Sequence, residues 1–473
     1  MTERGRLMRW TAAGVVAALA VTVLGACSSG GATVVVNMGY QSKTINTVTA
    51  GTLLRDRGTF EAKLAELGKR TGVRYQVNWN DFASGPPLTA QMIAGKIDIG
   101  SMGDYPLLVN GSKSAGFDDV RSRLVAVTGY NLRGSLNQVV VPMDSSAQTL
   151  RDLAGKTVSV SVGSAGHGML VDGLRGVGMN PGDVRILNQE PSVGASAIEG
   201  RQVDALAQFV PWPQVLAFNG KARLLFDGGQ TGVPTFHGVI VRQRYAEQHP
   251  DIMSTFLDAM RDTTDYLNAH PFDAAQRVAS ITSIKPEVVY LYNGPNGLVT
   301  FDMTIKPQLV DALKSDLPFL KDLNAVGDLD LNKFVDDHYV RQTFGSDYDR
   351  LVASTANTDL IRGADPGCGG AAVDPAQSSE VWFEGDPGTV VAKSPTCLLR
   401  LIKTNAKTVR AAYVPDAGHG TRIFATTATW VIDPALGSDT SSLPFAVAAD
   451  AQQYISTHPG SRLIDYPTAL SSV

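Results

Sequence analysis

Three short segments combine glycine with hydroxyl side chains in a pattern suited to holding an anion. They are Gly39-Tyr40-Gln41-Ser42-Lys43, Gly100-Ser101-Met102-Gly103-Asp104 and Gly163-Ser164-Ala165-Gly166-His167-Gly168. Each follows a run that reads as a strand and precedes one that reads as a helix. The first amides of a helix lack internal partners and carry about half a positive charge, so a negative group is favoured there. Glycine lets the backbone come close, and Ser42, Ser101 and Ser164 can donate hydrogen bonds. A Gly-Ser turn is also an ordinary strand-to-helix connection; three at corresponding places in one chain point beyond that. Asp104 would repel a fully anionic molecule, so it reads either as the partner of an amine or as a helix cap. His167 reads either as a donor to a ligand or as a packed side chain.

The elements that would position these loops follow from periodicity. Thr33 to Met38 reads as a buried strand, and Phe60, Leu64 and Leu67 mark one face of a helix that ends near Gly68. Val73 to Trp79 alternates as a second strand, Leu88 to Ile93 begins a helix, and Ile97 to Gly100 is a short third strand. Strand and helix in alternation indicate an α/β lobe with a parallel sheet. The pattern restarts with a strand at Val139 to Pro142, a capping box at Thr149-Leu150-Arg151-Asp152 and strands at Val158 to Val162 and Ala205 to Ala207. Gly238 to Arg242 reads as a strand returning to the first sheet. Helices are expected from Asp251 to Ala269 and Pro307 to Leu317. Open α/β sheets hold ligands at the carboxyl ends of their strands, where all three loops fall.

The 473 residues carry a net charge of -4, with 18% charged and 44% hydrophobic residues. That balance offers no basic face for nucleic acid and argues against disorder. At the N-terminus, Arg4, Arg6 and Arg9 precede an apolar run from Trp10 to Leu24, about 15 residues against the roughly 20 that span a membrane. Leu24-Gly25-Ala26-Cys27 ends it and resembles a bacterial lipoprotein signal, with Cys27 as the lipid-bearing residue. The expected location is therefore extracytoplasmic, held by lipid to the outer face of the cytoplasmic membrane. Cys368 and Cys397 remain, open to reading as a disulfide or as metal ligands. No Gly-x-Ser-x-Gly elbow, His-Glu-x-x-His or phosphate-binding Walker loop is present, so no enzyme activity is expected.

Over residues 33 to about 325 the chain resembles the nitrate, taurine and alkanesulfonate periplasmic binding-protein family. The matching features are Gly39-Tyr40-Gln41, Phe82 to Leu88, Ala94 to Asp104, Asp152 to Lys156 with Gly163-Ser164, and Glu247 to Pro250. The resemblance implies an α/β clamshell of the type II periplasmic-binding-protein kind. It also implies a permease with an ATP-hydrolysing subunit as partners, and a small anionic or zwitterionic solute. Carried over by position, Gln41, Ser42, Ser101, Gly103, Asp104, Gly163, Ser164 and His167 would line the cleft, with Trp212 as an apolar wall. An amino-sulfonate suits Asp104 better than nitrate does.

Asp365 to Gly369, Cys397 to Arg400, Val409 to Asp416, Ala428 to Val431, Gly437 to Asp439 and Leu463 to Tyr466 resemble a second family. It is the copper-binding accessory lipoprotein family of nitrous oxide reductase assembly (NosL). That resemblance makes copper handling through Cys368 and Cys397 the alternative function. This chain has Gly370 and Phe445 where that family carries methionines, and Cu(I) prefers soft sulfur ligands. No cofactor is otherwise expected. The domain plan is thus a signal peptide at 1–26 and a two-lobed region at 27–345, with a linker at 346–367 and a separate small α+β unit at 368–473. Lobe 1 is expected at 33–128 and 232–345, and lobe 2 at 135–228.

Overall fold

A computed structural model describes residues 33–355 and 360–473. The lipoprotein-type signal and Cys27 lie outside the described residues. Among those described, no helix is long and apolar enough to cross a membrane.

Two five-stranded sheets organise the first three-quarters of the chain. The first is built from β1 (Thr33–Tyr40), β2 (Arg74–Asp81), β3 (Ile99–Gly103), β4 (Ser122–Asn131) and β10 (Thr235–Arg242), in the order β2-β1-β3-β10-β4. The second contains β5 (Asn137–Pro142), β6 (Thr157–Val160), β7 (Arg185–Asn188), β8 (Ala205–Phe209) and β9 (Ala222–Asp227), in the order β7-β6-β8-β5-β9. Within each sheet four strands run the same way, and one strand that follows a crossover, β10 or β5, is inserted antiparallel between two of them. The chain passes from β4 to β5 and returns from β9 to β10, so two crossovers join the lobes. Val36, Met38, Ile99 and Val239 of the first sheet pack on helices Thr59–Thr71 and Pro250–Ala269. Val139, Val158, Val160 and Ala207 of the second sheet pack on helix Ala165–Gly176. Near-continuous apolar strands covered on both faces are what parallel sheets require.

The capping box forms as expected: the Thr149 amide donates to Asp152 at 2.8 Å. The stretch 346–367 is not a plain linker. Tyr348–Ala353 is helical, and Tyr348 is buried in the core of the first lobe. The ammonium of Lys306, wholly buried, reaches across to this segment. It pairs with Asp302 at 2.8 Å and donates to the Leu351 carbonyl at 2.8 Å and to Thr304 Oγ1 at 3.0 Å. Burying a charge is tolerable only with such partners.

Beyond residue 360, a four-stranded antiparallel sheet runs Thr389–Ala392, Ser379–Phe383, Val409–Pro415, Arg422–Phe424, and a three-stranded one runs Ser442–Phe445, Thr429–Ile432, Arg462–Ile464. Helices Pro395–Thr404 and Ala448–Thr457 accompany them. This unit is not separate. Trp382, Tyr413 and Phe424 belong to one apolar cluster with Tyr290 and Leu291, and with Val215 and Phe218 of the second lobe.

Candidate functional site

The loops picked out by sequence lie at the edges where the two sheets meet. On the first lobe, Gln41 ends the β1 turn, and its Nε2 donates to the Ser101 carbonyl at 3.2 Å. Gly103 leaves room for His237, whose ring lies 3.2 Å from where a Cβ would stand. The amide nitrogen of Asn46 contacts His237 Nδ1 at 2.5 Å. Burial pushes His237 down to about 3, so it is neutral and its second nitrogen serves as donor. On the second lobe, Gln208 Nε2 donates to Ser161 Oγ at 3.0 Å, and Gln214 donates to Gln138 at 2.7 Å. Gln138 and Gln208 are paired across β5 and β8.

The two edges are held together by contacts from one lobe to the other. Ser84 Oγ lies 3.4 Å from Glu190, and the Lys43 ammonium sits 5.9 Å over the Trp212 ring. Tyr105 presses so closely on the second lobe that a Cβ on Gly168 would sit 2.0 Å from its ring. His167 meets Phe319 edge-on at 5.5 Å, and Arg175 pairs with Asp322 at 3.1 Å. The lobes are therefore in a closed arrangement.

Among the polar groups at these edges, Ser101 Oγ, Asn46 Oδ1, Gln138 Nε2 and Gln208 Oε1 are buried and make no hydrogen bond within the chain. Leaving such groups unmet costs about 1–3 kcal/mol each, which makes them candidates for contact with a ligand. Each amide offers one donor and one acceptor whichever way it is turned. No Lys or Arg is among these edge groups in the described residues; Lys43 lies at the rim.

The sequence candidates divide. Gln41, Ser101 and Gly103 belong to the first-lobe cluster. Ser42 does not offer a free hydroxyl, because its Oγ donates to Asp81 at 2.6 Å and its amide donates to the same carboxylate. Gly163 takes a positive φ of 83° that suits only glycine well, and Ser164 caps helix Ala165–Gly176 by accepting from the His167 amide. His167 Nδ1 accepts from the Gly163 amide at 3.3 Å, and burial pushes the ring down to about 4, so it is neutral. Trp212 opens a helix at the rim, under Lys43. Asp104 is taken up by the protein. Its carboxylate accepts from the Tyr105 amide at 2.8 Å, Thr235 Oγ1 at 2.7 Å and the Phe236 amide at 3.2 Å. Burial nonetheless pushes it up to about 6. Asp316 is driven well up by burial and then by Asp104, and Asp172 is raised by burial. These three carboxyls line a small cavity, about 20 Å³, beside the crossovers.

Sequence reasoning missed Asn46, Gln138, Gln208, Gln214 and His237. A signal was present: Gln208 ends the apolar run Ala205-Leu206-Ala207, and Gln138 begins Val139-Val140-Val141. A polar residue at the cleft end of a fully buried strand has few reasons to be there.

In the C-terminal unit, Cys368 and Cys397 form a disulfide, which uses both sulfurs. The Asp365 carboxylate lies beside them and accepts from the amides of Gly367 and Cys368.

Comparison with known proteins bears on the fold. Residues 88–274 match the family profile described as NMT1/THI5 like. A putative aliphatic sulfonates-binding protein of Bacillus subtilis is 25% identical over 50% of this chain and 68% of its own length. The taurine-binding periplasmic protein of Escherichia coli is 28% identical over 41% of this chain and 58% of its own, so the chain spans under two-thirds of that relative. The alkanesulfonate-binding protein of Xanthomonas axonopodis pv. citri, solved bound to MOPS, superposes with a TM-score of 0.53 at 22% identity, covering 64% of this chain and 98% of its own. The nitrate-binding protein of Synechocystis gives 0.51 at 11% identity, over 68% and 91%. The chain thus has the two-lobed α/β fold of periplasmic binding proteins with further C-terminal sheets, and is similar over 88–274 to the NMT1/THI5-like family, with sulfonate- and taurine-binding proteins among its relatives.

Proposed function

We propose that this chain is a solute-binding protein that closes its lobes on one small polar molecule, of the taurine or alkanesulfonate class, and delivers it to a membrane importer. The observation that carries this reading is the set of unmet buried groups on both facing edges: Ser101 and Asn46 from one lobe, Gln138 and Gln208 from the other. A ligand touching both sets binds the closed form better than the open one, and only such a difference can drive closure. Amides and hydroxyls without a fixed cation suit a solute that carries its own charge balance, so a zwitterion is favoured over nitrate. The reading includes a permease and ATP-hydrolysing subunit as partners, an extracytoplasmic location and a lipid anchor at Cys27. It retains 27–345 as the solute-binding region, extended to Ala353. Metal handling through Cys368 and Cys397 would first require reduction of their disulfide.

The test is thermal denaturation with taurine, MOPS, methanesulfonate and nitrate, followed by calorimetry on Ser101→Ala. A bound solute raises the melting temperature with the logarithm of its concentration. No shift with any sulfonate, or equal affinity in the variant, defeats the proposal.

A further inference from the structure

We infer that the C-terminal unit is an internal brace on the hinge: it is fixed to the first lobe and holds the second lobe in the closed position.

Its attachment is unequal on the two sides. Toward the first lobe the contacts are aromatic and charged, and largely buried. Arg410 pairs with Glu287 at 2.5 Å, Tyr413 Oη donates to the Glu287 carbonyl at 2.9 Å, and the Trp382 ring packs tilted against Phe272 with centroids 4.3 Å apart. Arg422 and Glu380, both nearly inaccessible, pair at 2.5 Å beneath Tyr290. That pair lies within the C-terminal unit. It meets the first lobe through Arg422, which donates to the Pro295 carbonyl, and through Glu380, which accepts from Tyr290 Oη at 3.3 Å, so separating the two would leave buried polar groups unmet.

Toward the second lobe the contacts include one aromatic pair, Phe218 against Phe424 at 5.0 Å, beside an open groove of about 910 Å³. Between the two lies the hinge itself. The buried Asp227 carboxylate, at the end of β9, accepts from Ser135 in the first crossover at 3.2 Å and from Thr421 of the C-terminal unit at 3.1 Å. Arg133, also in the first crossover, donates to the His419 carbonyl at 2.6 Å and to Gly229 in the second crossover at 3.2 Å. One unit is thus bonded to both crossovers and to both lobes.

Contacts to the first lobe are the same whether the cleft is open or closed, and cannot bias the balance. Those to Phe218 and Asp227 are made in the closed arrangement and must rearrange when the second lobe swings away. The brace acts through that difference. It does not depend on which solute is taken.

The test is an interlobe distance in the ligand-free full chain. Spin labels are placed at Lys69→Cys on the first lobe and Glu199→Cys on the second, both exposed, in a Cys27→Ser background. The parent should give one short separation. Phe218→Ala should raise the population at the longer separation several-fold, and Thr421→Val, which keeps the side-chain volume, should do the same. Distance distributions unchanged in both variants, or shifted to shorter separations, overturn the brace. Should Phe218→Ala fail to fold, Thr421→Val decides alone. Because no solute is present, failure here leaves the solute-binding proposal standing, and failure of that proposal leaves these distances untouched.

Discussion

Gly168→Ala is the most direct way to ask whether the closed arrangement is the binding form. A Cβ at this position would lie 2.0 Å from Tyr105 Cζ, 2.1 Å from its Oη and 2.4 Å from Cε1, where ordinary contact begins near 3.4 Å. Ring or helix must therefore retreat by roughly 1.4 Å. The ring has little room, since Tyr105 is 4% exposed and meets Phe319 edge-on at 5.7 Å. Overpacking of this kind costs about 1–3 kcal/mol, and it falls on the closed form alone because the two residues sit on different lobes. Solute affinity should drop by about 5- to 150-fold. Folding stability should fall by less than the affinity, because the ligand-free chain can relieve the clash by opening and alanine replaces glycine within helix Ala165–Gly176. Calorimetry with a sulfonate that stabilises the parent, run beside thermal denaturation, separates the two effects. Adding Tyr105→Ala should recover much of the affinity, a coupling that a clash within one lobe would not show. Wild-type affinity in Gly168→Ala would refute the argument. So would a stability loss that matches the affinity loss.

Ser101→Ala should weaken solute binding by about tenfold with little change in melting temperature, because its hydroxyl has no partner in the chain. Ser164→Ala should instead lower stability by about 1 kcal/mol through loss of the cap, and calorimetry beside denaturation tells them apart. The carboxyls around the crossover cavity predict a pH dependence. Asp104 has a folded value near 6 against 3.8 unfolded, so its protonation stabilises fully below 3.8 and that gain is lost as pH rises through 6, roughly 3 kcal/mol in all. Asp316→Asn should flatten the fall in stability between pH 4 and 7, since Asp316 is raised by burial and by Asp104; an unchanged slope in thermal melts counts against the coupling. Cys368→Ser with Cys397→Ser should destabilise the C-terminal unit by about 3–4 kcal/mol, the entropy of closing a loop over a separation of 29 residues, read as a lower melting transition that reductant reproduces in the parent.

The sheets were legible because their strands are apolar runs broken by glycine, and the capping box at Thr149 because its spacing is local. β4, Ser122–Asn131, was not read although it is apolar, and neither were β7 and β9, since Arg185-Ile186-Leu187-Asn188 and Ala222 to Asp227 are short and mixed in character. The loop glycines were readable as close approaches, yet the hydroxyl of Ser42 was misassigned: Asp81, 39 residues away, claims it, and no local pattern announces that pairing. Asp104 showed both of its meanings in sequence, and the structure fills its oxygens with donors from the chain. The docking of the C-terminal unit rests on Trp382, Tyr413 and Phe424 meeting residues over a hundred positions away, which periodicity does not encode.

Lys306 sets a practical limit on how this chain can be shortened. Its ammonium finds one of its acceptors at Leu351, in a stretch whose composition reads as a tether. A fragment ending at 345 would strip that acceptor from a cation with no access to water, and would also remove Tyr348 from the surrounding apolar cluster. Any independently produced two-lobed fragment should therefore run through Ala353.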